Sequence, residues 1–227
     1  LLRDCIHHEE LYGGHNMWSD EGLIKFVPGL EFTDPSYHLP HFYELFAKNC
    51  YPEDSQFWKK AADASREYLK TACHKDTGLS PEYSYYDGSP YPDDGRFGGR
   101  HDWFYSDAYR TIANIALDYE WFDKHEEFGA WCIETANNLQ SFFFNLPSDK
   151  RRGIYMIDGK ILEGDALHPV GLTATIAQAS LAADGEYSHR AIEEFWNTPL
   201  RTGDRRYYDN CLYMFAMLAL SGRYKMW

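Results

Sequence analysis

The amino-acid sequence predicts an all-α domain of about seven helices, joined by long loops and one short β-hairpin. Three observations point that way. Apolar residues recur at steps of three and four through most of the chain, the period of a helix with one buried face. Only one stretch reads as strand, turn and strand, with Asp158-Gly159 at its centre. No P-loop, GxGxxG or GxSxG pattern occurs, and no repeat of fixed period is visible.

Taken in order, residues 1–30 read as irregular. His7, His8 and His15 surround Gly13-Gly14, but their spacing fits no metal-ligand pattern, so no metal is expected there. Residues 23–27 form a short extended piece ended by Pro28. Pro35 and Pro40 then make a stiff turn, and Pro40 suits the first residue of a helix with Phe42, Leu45 and Phe46 inward. His38 and His41 are expected to cap or to fill core. A second helix covers 55–72, with Phe57, Trp58, Ala61, Ala64, Tyr68 and Leu69 inward. The loop 74–99 follows, with three prolines and five glycines. So long a loop in a compact domain is usually functional, and Tyr83, Tyr85, Tyr86 and Tyr91 suggest a binding rim.

A third helix is expected over 106–123, with Ser106 as its N-cap. Ala108, Ile112, Ile115, Tyr119 and Phe122 make its apolar stripe. The fourth covers 126–144, with Phe128, Trp131, Cys132, Thr135, Leu139 and Phe142 inward. A hairpin over 154–162 would turn on Asp158-Gly159 as a two-residue primed turn. Leu167-His168-Pro169 leads into a fifth helix, 170–183, whose small residues allow close packing. The sixth covers 187–196, and the last runs from near Asp204 to a stop at Ser221-Gly222. The even rhythm of helix pairs suggests stacked α-hairpins, not a four-helix bundle.

Composition narrows the function classes. A length of 227 residues suits one domain or part of a larger one, and 44% hydrophobic content supports a real core. A formal charge of −13 argues against nucleic acid or an anionic membrane surface as partner. No apolar stretch is long enough to span a bilayer. Aromatic residues reach 17%, and aromatic faces suit the C–H faces of pyranose rings as well as a core. The five scattered cysteines show no CxxC, as expected of a reduced, cytoplasmic compartment. The chain opens on Leu1, so it is expected to begin inside a longer protein, which leaves a signal segment ahead of it open.

The stretch from Arg100 to Arg110 carries the most chemistry. Asp107 falls in a first helical turn, off the apolar stripe, and Arg110 lies three residues on along the same side. The helix dipole and the guanidinium both favour an ionised carboxylate, which suits a general base. A first-turn acid in a helical ion pair is the plainer reading of the same pattern.

Four segments together resemble glycoside hydrolase family 8. They are Phe32-Thr33-Asp34-Pro35-Ser36-Tyr37, Asp107-Ala108-Tyr109-Arg110, Leu167-His168-Pro169 and Arg206-Tyr207-Tyr208-Asp209-Asn210. In order and spacing they are most similar to the family members that release xylose from the reducing end of xylo-oligosaccharides. The resemblance implies a partial (α/α)6 barrel, with residues 1–227 as the C-terminal portion of one catalytic domain and the first barrel helices ahead of it. It implies inverting hydrolysis without cofactor or metal, on a xylo-oligosaccharide substrate. Asp107 would be the general base and Arg110 would orient it. Tyr37 and Tyr208 would line sugar subsites. Leu167, His168 and Pro169 would form the loop that closes the cleft beyond the first reducing-end sugar. The general acid, a glutamate, would lie upstream. The family usually carries an aromatic residue before the base, where this chain has Ser106, which keeps Asp102 open as another position for the role. Endo-acting family members and a non-catalytic carbohydrate-binding domain are the alternatives.

Overall fold

A computed structural model describes residues 1–92, 95–123 and 127–226. The described residues form nine α-helices and one small sheet. The helices are α1 (Leu2–Ile6), α2 (His8–Tyr12), α3 (Pro40–Asn49), α4 (Ser55–Ala72), α5 (Tyr109–Asp118), α6 (Glu127–Asn145), α7 (Pro169–Gln178), α8 (Ser188–Trp196) and α9 (Arg206–Leu220). The seven expected helices are α3 to α9. The expected start at Glu126, and Asp93 and Asp94 of the long loop, lie outside the described residues.

The first twelve residues depart from expectation, since α1 and α2 are helical. Each has only five residues. That is too short to print a period in the sequence or to hold alone in water. Tertiary contact stabilises this end of the chain. Leu2, Cys5 and Ile6 pack on the Trp18–Tyr43–Trp58 cluster, and the Cys5 carbonyl accepts the Trp18 Nε1–H at 2.9 Å.

Helix α4 buries Trp58, Ala61, Tyr68 and Leu69 as its spacing predicts. Helix α3 differs: Tyr43 and Ala47 face the core with His41, while Phe42, Leu45 and Phe46 are only half-buried. The stripe is rotated because His41 is drawn inside, against Phe42 and Trp121. Arg66 of α4 locks α3 and α5 together. Its guanidinium grips Asp118 through Nε and Nη2, at 2.9 and 3.0 Å, and Glu44 through Nη1 at 2.9 Å.

The third helix is a composite. A 3-10 turn, Ser106–Ala108, opens it, α5 continues it, and a π-turn, Tyr119–Asp123, extends it. Its inner face, with Ile112 and Ile115, joins Phe104, Leu139, Phe143, Tyr155 and Leu172 in the main core. Full burial of one such side chain contributes roughly 1.5–3 kcal/mol.

Three short strands set the entry to this helix. They are β1 (Trp103–Phe104), β2 (Gly153–Met156) and β3 (Ile161–Asp165), all antiparallel in the order β1-β2-β3. The hairpin is present, but its turn is not the primed type. Gly159 has φ +94° and its N–H bonds Met156 O, whereas Asp158 keeps a negative φ. A type I′ turn needs positive φ at both central residues. The turn therefore spans Ile157, Asp158 and Gly159, with the glycine alone left-handed. Strand β1 had no sequence signal. It exists because Phe104 inserts opposite Tyr155, and it leads directly into Ser106.

Helix α7 packs against α5, α8 and α9, and Ala174, Ala177 and Ala216 form a tight seam. No helix among the described residues is long and apolar enough to cross a membrane. No disulfide joins any of the five cysteines.

Candidate active site

Backbone geometry aims Asp107. Ser106 has φ +38°, a value rare for a residue with a Cβ. Its hydroxyl does not cap the helix, contrary to expectation, because the reversed φ turns the chain at that point and Tyr105 holds the cap position. The turn is fixed from both sides. Ala108 N–H bonds Tyr105 O at 2.9 Å, and Asp107 N–H bonds Glu82 Oε1 at 3.2 Å. Ala108 and Tyr109 are fully buried behind it.

Arg110 is the centre of the cluster. Its Nη2 stands 3.4 Å from Asp107 Oδ1 and 3.3 Å from Asp34 Oδ2, and its Nε donates to the Asp107 carbonyl at 3.3 Å. The expected Asp107–Arg110 pair therefore forms, with a third member 73 positions ahead of Asp107. Asp34 is fully buried. Its Oδ1 accepts the Ser36 N–H at 2.7 Å and so caps the 3-10 turn Pro35–Tyr37. Burial pushes the Asp34 carboxyl up to about 7, against the pull of Arg110 and Ser36 and with the aid of the charge on Asp107. The guanidinium lies between the rings of Tyr37 and Tyr208, 5.7 and 5.8 Å from their centroids. Burial raises both phenols.

Sequence reasoning missed Glu82, which sits in the long loop. It is buried, it accepts the Asp107 N–H, and its Oε2 shares a hydrogen bond with His101 Nδ1 at 2.9 Å. Burial pushes its carboxyl up to about 8. A buried acid held near neutrality beside a candidate base marks a functional site. Asp102, the other position open for the base, is gripped by Arg100 through both carboxylate oxygens, and it joins neither Asp34 nor Arg110. The loop tyrosines differ in how far they pack. Tyr83 stacks on His101, Tyr91 stacks on Phe32 at 4.2 Å, and Tyr86 is half-buried against the core. Only Tyr85 of the four is exposed. The aromatic excess here builds the wall behind Tyr37, through Phe26.

Leu167, His168 and Pro169 form the entry to α7, with His168 at the cap position and Pro169 as the first helical residue. The His168 ring packs on Tyr208 at 4.3 Å. One contiguous set thus runs from this loop through Tyr208 and Arg110 to Asp107. Tyr37, Arg110 and Asn114 also line a cavity of about 490 Å³ that continues inward among Tyr43, Trp58 and Leu212. Among the described residues, no group of three His, Cys, Asp or Glu side chains is arranged to hold a metal ion.

Residues 22–222 match the profile of glycosyl hydrolases family 8. The chain belongs to that family. Family 8 relatives include the reducing-end xylose-releasing exo-oligoxylanase of Halalkalibacterium halodurans, 56% identical over 100% of this chain and 56% of that protein. The enzyme of the same name from Bifidobacterium adolescentis is 50% identical over 99% of this chain and 59% of its own length. The solved structure of Rex8A from Paenibacillus barcinonensis complexed with xylose superposes with a TM-score of 0.92 at 54% identity, covering 99% of this chain and 58% of that one. The chain thus spans somewhat over half the length of these three relatives. Its helices are those of part of an (α/α)6 barrel, the architecture of these structural neighbours.

Proposed function

We propose that the protein carrying this chain is an inverting glycoside hydrolase that releases xylose from the reducing end of xylo-oligosaccharides. The observation that carries the reading is the contiguous set of Asp107, Arg110, Tyr37, Tyr208 and His168, within a chain at least 50% identical to relatives named for that activity. In this reading Asp107 is the general base. It takes a proton from a water molecule as that water attacks the anomeric carbon. Arg110 holds Asp107 in place through both the carboxylate and the backbone carbonyl of Asp107, and Asp34 contacts the same guanidinium nitrogen. Tyr37 and Tyr208, which flank the Arg110 guanidinium, line the sugar subsites beside the base. Leu167, His168 and Pro169 close the cleft after one sugar on the leaving side, which restricts the product to xylose.

Inversion needs a second carboxyl roughly 6.5–9.5 Å from the first, to protonate the leaving oxygen while leaving room for water. We assign that acid to a glutamate N-terminal to residue 1, with residues 1–227 as the C-terminal portion of the catalytic domain. The test uses the full-length protein and xylotriose, with the anomeric protons followed by NMR. Xylose and α-configured xylobiose should appear first. Asp107→Asn should lower kcat by about 10²–10⁴-fold, the usual contribution of such a group. Full activity in Asp107→Asn would remove the base from this position. Internal cleavage of long xylan would favour an endo-acting enzyme.

A further inference from the structure

The loop that closes the cleft in the reading above is not held by its own residues. Asp209, in the first turn of α9, is fully buried and gathers donors from three segments. Its Oδ2 accepts His168 Nδ1–H at 3.1 Å, and its Oδ1 accepts the Gly171 N–H at 2.8 Å, in the first turn of α7. Arg201, from the connection between α8 and α9, donates through one nitrogen to Asp209 Oδ2 and to the Leu167 carbonyl, the latter at 2.7 Å. The Leu167 backbone, the His168 ring and the start of α7 are therefore tied to one carboxylate–guanidinium pair.

We infer that Asp209 and Arg201 are positioning residues that set how far the cleft extends beyond the bond being cut. The inference rests on the exo-acting reading. A carboxylate only accepts, so His168 must carry its proton on Nδ1 when it bonds Asp209. In the neutral ring Nε2 then keeps a lone pair for a sugar hydroxyl. A carboxylate on the far nitrogen of a binding histidine, fixing its tautomer and ring angle, is a familiar way to hold the ring for its ligand. Arg201 does the equivalent for the main chain, because a carbonyl tied to a buried ion pair cannot swing outward. The ring contact between His168 and Tyr208, the residue preceding Asp209, carries the same register to the sugar site on the other side.

The plainer role is stability, since Asp209 also caps α7. The test separates the two in the full-length protein. Asp209→Asn keeps an oxygen for the Gly171 N–H, but its amide nitrogen cannot accept from His168. The variant should fold, with a circular dichroism spectrum like that of the wild type. KM for xylotriose should rise about tenfold or more, the size expected when a charge-assisted hydrogen bond is lost, while kcat changes far less. From xylotetraose it should release xylobiose as well as xylose at the reducing end. A folded Asp209→Asn with wild-type KM and xylose alone as the reducing-end product overturns the inference. If Asp209→Asn does not fold, Arg201→Met decides. It leaves Asp209 on His168 and Gly171 but frees the Leu167 carbonyl, so the mixed product pattern should appear. An unchanged pattern in that variant overturns the inference. Wild-type protein run alongside isolates the underlying reading: if it gives no reducing-end xylose, both fall, whereas wild-type exo action with unchanged variants removes only the clamp.

Discussion

At the scale of single residues, Asp107 depends on neighbours that a local pattern cannot show. The partner at Arg110 was legible, because residues three apart share a helix face. Asp34 and Glu82 were not, because they reach Arg110 and the Asp107 N–H across separations of 76 and 25 residues. Asp34 next to a proline reads as an ordinary cap, and it is one, yet its other oxygen faces the guanidinium. Ser106 is the residue that local rules misjudged. A serine before a helix suggests a cap, but here it bears a left-handed φ that costs about 1–2 kcal/mol for any residue with a Cβ. Ser106→Gly should therefore stabilise the protein by about 1 kcal/mol, less the extra entropy that glycine gives the unfolded chain. Ser106→Val should destabilise it and lower activity by turning Asp107. Thermal unfolding of both variants, with xylotriose assays, checks this.

At the scale of elements, long helices were readable and short ones were not. The 18 residues of α4 carry five turns of period, enough to fix both ends. Helices α1 and α2, and strand β1, are too short for any period and form only where the core receives them. The turn at Asp158-Gly159 shows a different limit. The dipeptide specifies a tight turn, but the number of residues in it follows from how Tyr155 meets Ile161 across the sheet. Between elements, the Arg66 cluster is the strongest polar tie. Removing one side of a buried ion pair leaves the other charge without compensation, at about 3–5 kcal/mol. Arg66→Ala should cost stability of that order by chemical denaturation, with separation of α3 from α5, while Lys70→Ala, which loses a pair with the exposed Glu67, should cost under about 1 kcal/mol.

At the scale of the whole molecule, buried titratable groups shape the pH dependence of stability. His38 and His41 are fully buried, and burial pushes both imidazoles down to about 3. The unfolded chain binds their protons up to pH 6.5, so their contribution is present above that pH and is lost as pH falls toward 3. Asp34 and Glu82 act in the opposite sense. Their folded pKa values are raised to about 7 and 8 from ordinary values of 3.8 and 4.5, so their contribution is full only below 3.8 and 4.5, falls as pH rises above those values, and is gone once pH has passed about 7 and 8. Between about pH 4.5 and 6.5 the two pairs pull stability in opposite directions and offset, so stability should be nearly level there and decline toward pH 3 on one side and pH 8 on the other. Glu82→Gln should flatten the alkaline decline in melting temperatures recorded from pH 4 to 9. An unchanged decline would mean that Glu82 is ionised in the folded protein. By itself the sequence determined the helical class, the seven longer helices, the Asp107–Arg110 pair and, through four separated segments, the family. Those features are either local in period or written as contiguous residues. Tertiary structure alone decided that Asp34 and Glu82 meet Arg110 and the Asp107 N–H, that Asp209 holds His168, that Tyr83 and Tyr91 stack on other rings, and that Asp107 and not Asp102 joins Arg110. Each of these is a contact between distant segments, and the buried environment that perturbs Asp34 and Glu82 exists only once those segments are packed.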